Sequence, residues 1–232
     1  MLEFPEILLI DKPLAMTSFD IIRVLRRRHK EEGGEGRLKV GHAGTLDPLA
    51  TGLMILGVGK GTKKLTDLVK LDKEYIAEVR IGEKRTTGDL EGPIMEEKEA
   101  VDIHEEEIMG AVAGLIGTLR LPVSAYSAIK KEGKPMYKRA REAEKKGEVV
   151  TDVPVRDMVV YETEVLNIEN TVVDQKKRVV VTVQFSVASG VYVRSLGEEL
   201  GNKLGYPATL QALRRTKVGE FDIKDAHQLD EF

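Results

Sequence analysis

Three strand-like runs follow one another between residues 153 and 205, and no helical run separates them. Residues 153–170 and 178–189 are rich in β-branched residues, and 190–205 begins as a strand that runs into a helix. Consecutive strands joined by short turns pair antiparallel, whereas a doubly wound fold needs a helix after each strand. The order therefore predicts an α+β fold with a mixed, largely antiparallel central sheet flanked by helices.

The other segments fit this architecture. We predict a strand at 6–13, a helix at 17–30 with Thr17 or Ser18 as N-cap, strands at 53–58 and 74–82, a polar loop at 83–94, a helix at 104–117, a loop or hairpin and then a basic helix within 122–148, and a short helix, a strand and a turn over 210–229. No linker or repeat divides the chain. We expect one domain over 1–232, with an insertion near 124–150 that projects from it.

The composition excludes several kinds of site. Without any cysteine the chain has no disulfide, thiol nucleophile or Cys-ligated zinc, and a reducing cytoplasm is the expected setting. The four histidines are far apart in sequence, so no metal site is expected. The sequence contains no apolar run of about 18 residues, so it predicts no membrane span. The first 13 residues carry acids among apolar residues and indicate a strand rather than a signal peptide. A monomer is the default expectation.

Charge is distributed unevenly along the chain. The net charge is −3, but residues 128–147 contain eight basic residues and three acids, and 91–107 contain eight acids and one lysine. A local basic patch can bind phosphates on an acidic average, because the local field matters more than the sum. A solvated helix face is the alternative interpretation of the basic run.

The glycines and lysines of residues 39–65, KVGHAGTLDPLATGLMILGVGKGTKKL, suggest a phosphate loop, but their spacing is wrong. Gly52 and Gly57 have the separation of a Walker A loop, yet Val58 stands where that loop requires lysine. Thr62 stands where a dinucleotide fingerprint requires its third glycine. The sequence therefore disfavours a nucleotide-dependent enzyme, and we interpret the glycines that follow the strand as a tight turn.

Two further residues of this stretch have both structural and functional interpretations. His42 is a hydrogen-bonding loop residue or a functional group, and no catalytic constellation forms around it in sequence. Asp47 before Pro48 is a natural N-cap for one helical turn closed by Gly52. A carboxylate in a Gly- and Thr-rich loop beside a rigid strand is also well placed at the lip of a cleft.

Residues 41–63 closely resemble the catalytic motif of the TruB family of pseudouridine synthases. Five further segments resemble motifs of that family and occur in its order: LLIDKPLAMTSFDIIRVLRR at 8–27, LDKEYIAEVRIGEKRTTGDLEG at 71–92, SAYSAIKKEGKPMYKRARE at 124–142, SGVYVRSLGEELG at 189–201 and ALRRTKVGEFDIKDA at 212–226. The resemblance covers about residues 6 to 230. It implies a single pseudouridine synthase catalytic domain with an RNA-binding insertion, the thumb, at about 124–150.

The resemblance also implies the chemistry: isomerisation of uridine to pseudouridine in RNA, at uridine 55 in the T-loop of tRNA. The T-arm is then the partner, and neither cofactor nor metal is needed. It implies that Asp47 is the nucleophile, that Tyr75 stacks on the target uracil, and that Arg194 pairs with Asp47. Its implied substrate-binding and supporting residues are His42, Lys12, Pro13, Tyr192, Lys130, Lys134 and Lys138. We place Tyr192 and Arg194 on one face of a strand.

Residue chemistry is consistent with these roles. A carboxylate is an established covalent catalyst, and a nearby arginine keeps it ionised. A base inside a folded loop must be flipped out onto an aromatic platform. The sequence leaves open whether the reaction passes through a glycosyl adduct or a glycal.

The sequence departs from the family pattern at two places. A Pro-Pro pair is usual before the thumb, but Val123 and Ser124 follow a single Pro122 here. We also expect no C-terminal PUA domain, which counts against the dyskerin branch. A catalytically idle tRNA-folding chaperone on the same fold is the alternative function, although it has no need for Asp47, Tyr75 and Arg194 together.

Overall fold

The computed structural model describes residues 4–101 and 103–231. The chain forms two compact units, one of Met1–Ile76 with Leu213–Phe232 and one of Ala77–Ala212. The predicted N-terminal strand is confirmed from Ile7 onward, and residues 1–3 of the stretch interpreted as strand lie outside the described residues. The α+β class with a mixed sheet is confirmed.

The helices are α1 Ser18–Glu31, α2 Leu65–Leu68, α3 Glu105–Ala113, α4 Met136–Glu144 and α5 Val193–Leu204. The strands are β1 Ile7–Lys12, β2 Val40–His42, β3 Ala50–Val58, β4 Lys73–Ile81, β5 Glu83–Arg85, β6 Ile94–Glu97, β7 Gly117–Pro122, β8 Lys130–Lys131, β9 Lys134–Pro135, β10 Val155–Val173, β11 Lys176–Val187, β12 Ala208–Val218, β13 Phe221–Asp222 and β14 His227–Gln228. Strands β4 and β12 contribute residues to both units.

The first unit is built around strand β3. Strand β1 pairs antiparallel with β3 along its whole length, and residues 213–215 of β12 pair with β3 in parallel. Helix α1 packs Ile21 and Leu25 onto Ile10 and Met54 of the sheet, and all four are buried. The N-cap of α1 is Thr17, in a capping box with Asp20. The sheet and α1 thus form a rigid support for the loop between β2 and β3.

The second unit contains the long hairpin that the sequence predicts. Strands β10 and β11 pair antiparallel, and β7 pairs antiparallel with β10. The inward residues of β11 are buried, and so are Leu196 and Leu200 of α5. Strand β11 carries an apolar residue at every second position from Val179 to Val187, and this alternation is what buries one face of the hairpin.

Four sequence-based expectations about the elements are wrong. Helix α3 ends at Ala113 rather than 117, because β7 starts at Gly117, whose φ of 111° is left-handed. The loop at 83–94 contains β5 and the start of β6, which pair. The short helix expected at the start of 210–229 is strand instead, because pairing of β12 in the sheet overrides a helix-compatible pattern. Residues 190–192 are not strand, and α5 starts at Val193.

Candidate functional site

Asp47 lies in a turn that leads directly into β3. The backbone N–H of Ala50 donates to the Asp47 carbonyl at 3.1 Å, and β3 begins at Ala50. The expectation that Asp47 caps a helical turn closed by Gly52 is therefore wrong. Gly52 lies within β3 at a φ of 102°, and a Cβ there would lie 2.3 Å from the Arg215 carbonyl oxygen. Glycine allows β12 to approach β3 at this point, next to the Asp47 turn.

Ser18 fixes the residue that precedes Asp47. Its Oγ donates to the Leu46 carbonyl at 3.0 Å and accepts from the Leu46 N–H at 2.8 Å. Both residues are buried. Because an unpaired buried backbone group is costly, these two bonds hold the loop against the start of α1.

Lys12 fixes the residue that follows Asp47. It is completely buried, and its Nζ donates to the carbonyls of Pro13, Met16 and Pro48 at 2.9, 2.6 and 3.5 Å. The N–H of Ala15 also donates to the Pro48 carbonyl at 2.9 Å. Lys12 therefore connects the end of β1 to the Asp47 turn, whereas Pro13 is exposed and contributes its carbonyl to the Lys12 ammonium.

A buried arginine lies behind the same loop. Arg215 of β12 donates from Nε to the Leu53 carbonyl at 2.7 Å and from Nη2 to the Gly44 carbonyl at 3.3 Å. His42, at the end of β2, is partly buried, and burial together with the positive charge of Arg215 lowers the pKa of its imidazole. His42 is therefore neutral at pH 7 and offers hydrogen bonds rather than charge.

Tyr75 lies on the buried face of β4, in the same unit as Asp47. Lys73 lies two residues earlier on the same face, and its Nζ donates to the carbonyls of Val69 and Leu71 at 2.7 and 2.5 Å. Burial, with a smaller contribution from Arg215, lowers the pKa of Lys73 to about 8. Tyr75 is thus an aromatic ring on a rigid strand with little freedom to move.

Arg194 belongs to the second unit and lies in the first turn of α5. Its Nη1 donates to the Thr87 carbonyl at 3.0 Å and lies 3.4 Å from Asp89 Oδ2, and its Nη2 donates to the Tyr126 carbonyl at 3.0 Å. Tyr192 is the N-cap residue of α5, so its expected placement with Arg194 on one strand face is wrong. The helix nevertheless holds the guanidinium in one orientation.

Sequence reasoning missed Asp89. This buried carboxylate accepts from Thr87 Oγ1 at 2.6 Å and forms the ion pair with Arg194. It lies in TTGDLEG, where aspartate between glycines is typical of an ordinary turn. Its pairing with a residue 105 positions away depends on the tertiary fold and has no signal in the local sequence.

The hairpin and basic helix expected within 122–148 are confirmed as β8, β9 and α4, the segment in which the sequence predicts the thumb. Lys130 and Lys138 are exposed, and within residues 4–101 and 103–231 neither has a carboxylate at ion-pair distance. Lys134 instead pairs with Glu142, and Arg139 pairs with Glu132. The positive charge of Lys130 and Lys138 is therefore available to a partner, whereas that of Lys134 is partly neutralised.

Two other kinds of site have no candidate among the residues that the structure describes. Among the described residues, no three His, Asp or Glu side chains come together as a metal-binding group. No helix of the part of the chain that the structure describes is both long and apolar enough to span a membrane.

Two family models match the chain in succession. The TruB family pseudouridylate synthase N-terminal domain matches residues 28–193, and the tRNA pseudouridylate synthase B C-terminal domain matches residues 194–232. The chain is 42% identical to the tRNA pseudouridine synthase B of Leifsonia xyli subsp. xyli, covering 96% of this chain and 70% of the relative. It is 39% identical to that of Corynebacterium efficiens, covering 95% of this chain and 69% of the relative.

Solved structures support the same fold. A structure of an H/ACA RNP bound to a substrate RNA containing 2′-deoxyuridine matches with a TM-score of 0.65 at 24% identity, covering 97% of this chain and 51% of that one. A Cbf5-Nop10-Gar1 complex matches with the same TM-score and identity, covering 97% of this chain and 52% of that one. The chain spans about half the length of these solved chains.

The class that the fold and these matches define is the pseudouridylate synthases. Within this class, the chain belongs to the TruB family.

Proposed function

We propose that this chain isomerises uridine to pseudouridine in tRNA, at uridine 55 of the T-loop, with Asp47 as the nucleophile. The observation that carries the proposal is the position of Asp47 between Leu46 and Pro48, both bound to buried side chains, inside the region matched by the family model. The relatives of 36–42% identity are named tRNA pseudouridine synthase B. Fixed geometry of this kind is what nucleophilic attack on a bound sugar requires.

The reaction balances without a co-reactant. The N1–C1′ bond of uridine breaks, the uracil turns, and a C5–C1′ bond forms. C5 loses its proton and N1 gains one, so substrate and product contain the same atoms. Asp47 either forms a bond to C1′ or assists removal of a sugar proton, and its ionised form is needed for both routes.

The other residues receive roles that fit their surroundings. Tyr75 stacks on the flipped uracil, and neutral His42 forms a hydrogen bond to the RNA. The family resemblance assigns Arg194 as the partner of the Asp47 carboxylate, and the ion pair with Asp89 orients its guanidinium. Lys12 and Pro13 support the nucleophile loop.

The thumb supplies the sequence-independent part of RNA binding. The exposed Lys130 and Lys138 contact phosphates, and Lys134 contributes after exchanging Glu142 for a phosphate. Tyr192, at the start of α5, lies beside Arg194 in sequence and contacts the substrate there.

Unmodified tRNA transcripts that carry tritium at uridine C5 test this proposal. The wild-type chain should release tritium without ATP, metal or reductant, and carbodiimide mapping should place the product at position 55. Tritium release with a product at another position contradicts the assigned site only. Tight tRNA binding without tritium release contradicts the activity and favours an idle tRNA-folding chaperone.

A further inference from the structure

The second unit contains a cavity of about 230 Å³ between the thumb and the segment 83–94. Its apolar walls include Pro93, Ala125, Ala140 and Val149, and Val149 is half exposed at its mouth. Sites for drug-sized ligands span about 300–1,000 Å³, so this cavity suits a single planar ring.

The polar groups of the cavity are mostly acceptors. Tyr126 Oη donates to Glu144 Oε2 at 3.1 Å, and Glu148 also lines the space. The Thr86 hydroxyl, which lies in the same wall, is buried and has no hydrogen-bond partner among the described residues. The cavity therefore offers carboxylate oxygens and one unused hydroxyl to its occupant.

The two carboxylates are unusual within the thumb. Glu132 and Glu142 each form an ion pair with a neighbouring basic residue. Over the chain that the structure describes, Glu144 and Glu148 form no ion pair, although Lys145 and Lys146 lie between them in sequence. In a basic RNA-binding segment an unpaired carboxylate repels phosphate, so it weakens binding unless it accepts a hydrogen bond from the RNA.

RNA bases supply donors of the required kind. Cytosine, adenine and guanine carry exocyclic amino groups, and glutamate is a recognised acceptor for such a group. Unpaired bases of RNA loops are bound by stacking on side chains together with hydrogen bonds to the base edge. The exposed Lys138 and Arg141 of the same helix are placed to neutralise the phosphates beside such a base.

We propose that this cavity is a second base pocket, which holds one unpaired, amino-bearing base of the RNA substrate through Glu144 and Glu148. The proposal rests on the proposed function, since it assumes that the thumb contacts the substrate RNA. None of its lining residues belongs to the Asp47 loop, and the pocket serves recognition, not chemistry. It selects cytosine, adenine or guanine over uracil, because uracil has no amino group.

A pair of variants with the same charge change tests the carboxylate. Glu144→Gln removes the negative charge of the proposed acceptor and replaces one of its two oxygens with an amide donor, and Glu142→Gln is the matched control in the same helix, outside the cavity. By charge alone, both should bind tRNA transcripts slightly more tightly at low salt. We expect Glu142→Gln to do so and Glu144→Gln to bind about tenfold more weakly. Equal or tighter binding by Glu144→Gln overturns the pocket; thermal melts check that both variants fold.

Analogue interference identifies the base. Transcripts carry inosine for guanosine, purine riboside for adenosine or zebularine for cytidine, each of which lacks one exocyclic amine. At one loop position, the analogue should weaken binding of the transcript to the wild type but should not weaken its binding to Glu144→Gln. The absence of such a position overturns the proposal.

Tritium release measured on the same transcripts separates the two proposals. If the wild type releases tritium but no analogue weakens binding in a way that depends on Glu144, the result contradicts the pocket alone. Glu144-dependent interference without tritium release contradicts the proposed activity alone, and failure to bind RNA contradicts both.

Discussion

Ser18→Ala should impair the reaction without touching any residue assigned to the chemistry. The change leaves the buried N–H and C=O of Leu46 without their bonds to Ser18 Oγ at 2.8 and 3.0 Å. Each of the two unsatisfied buried groups costs about 1–3 kcal/mol, which gives a loss of roughly 2–6 kcal/mol in the free energy of unfolding. A protein within the typical stability range of about 5–15 kcal/mol remains mostly folded after a loss at the lower end of this range.

The functional effect follows from the position of Leu46 next to Asp47. A loop that shifts by about 1 Å costs on the order of 100-fold in rate. We expect kcat for tritium release to fall about 10- to 100-fold, with KM nearly unchanged, because the thumb and its RNA contacts are intact. Steady-state assays on labelled transcripts, together with urea unfolding, measure both quantities.

Thr17→Ala is the matched control for this prediction. Thr17 caps the same helix, with its Oγ1 accepting from the Asp20 N–H at 3.1 Å, but none of its hydrogen bonds in the described residues reaches the Asp47 loop. Its removal costs about 1 kcal/mol of stability. Full kcat in Ser18→Ala, or an equal fall of kcat in both variants, refutes the argument that Ser18 positions the nucleophile loop.

Three further predictions concern the thumb, the support of Arg194 and the state of His42. Charge reversal of Lys130 and Lys138 should weaken tRNA binding. The slope of log K against log salt concentration should also decrease by about one for each phosphate that the thumb no longer binds. An unchanged slope contradicts phosphate binding by the thumb. Asp89→Asn removes a charge-assisted partner of Arg194 and should lower kcat about 10- to 100-fold with tRNA affinity retained, and an unaltered kcat excludes the positioning role. Because the pKa of His42 lies below its usual 6.5 in the folded chain, the neutral form contributes stability above pH 6.5 that is lost as pH falls. His42→Gln should therefore lose less unfolding free energy between pH 7 and 5 than the wild type, and an equal loss contradicts the burial argument.

The sequence predicts those elements whose pattern is local. The hairpin of β10 and β11 follows from two consecutive strand-like runs with no helix between them, and α1 follows from its N-cap candidates and apolar face. The short helix expected at the start of 210–229 is wrong because the local pattern is compatible with a helix, and the pairing of β12 with β3 decides the outcome. Strand propensity depends on such neighbours more than helix propensity does.

The candidate site shows the same limit. The resemblance to a family motif identifies Asp47 as the candidate nucleophile, whereas its local sequence suggests a helix cap. The structure has a turn there instead, closed by the Ala50 N–H on the Asp47 carbonyl. The supports of the loop, Ser18 and Arg215, and the partner of Arg194, Asp89, are distant in sequence from what they hold. Such contacts require the fold, because they join groups far apart in sequence, and those of Ser18 and Arg215 end on backbone groups that any sequence supplies.

The central claim is that the Asp47 carboxylate performs the reaction, and Asp47→Asn tests it most directly. The substitution keeps the size and polarity of the side chain and removes its negative charge. We predict almost no tritium release from labelled tRNA transcripts, with tRNA affinity and thermal stability close to those of the wild type. Tritium release at a rate comparable to the wild type contradicts the assignment of Asp47 as the nucleophile.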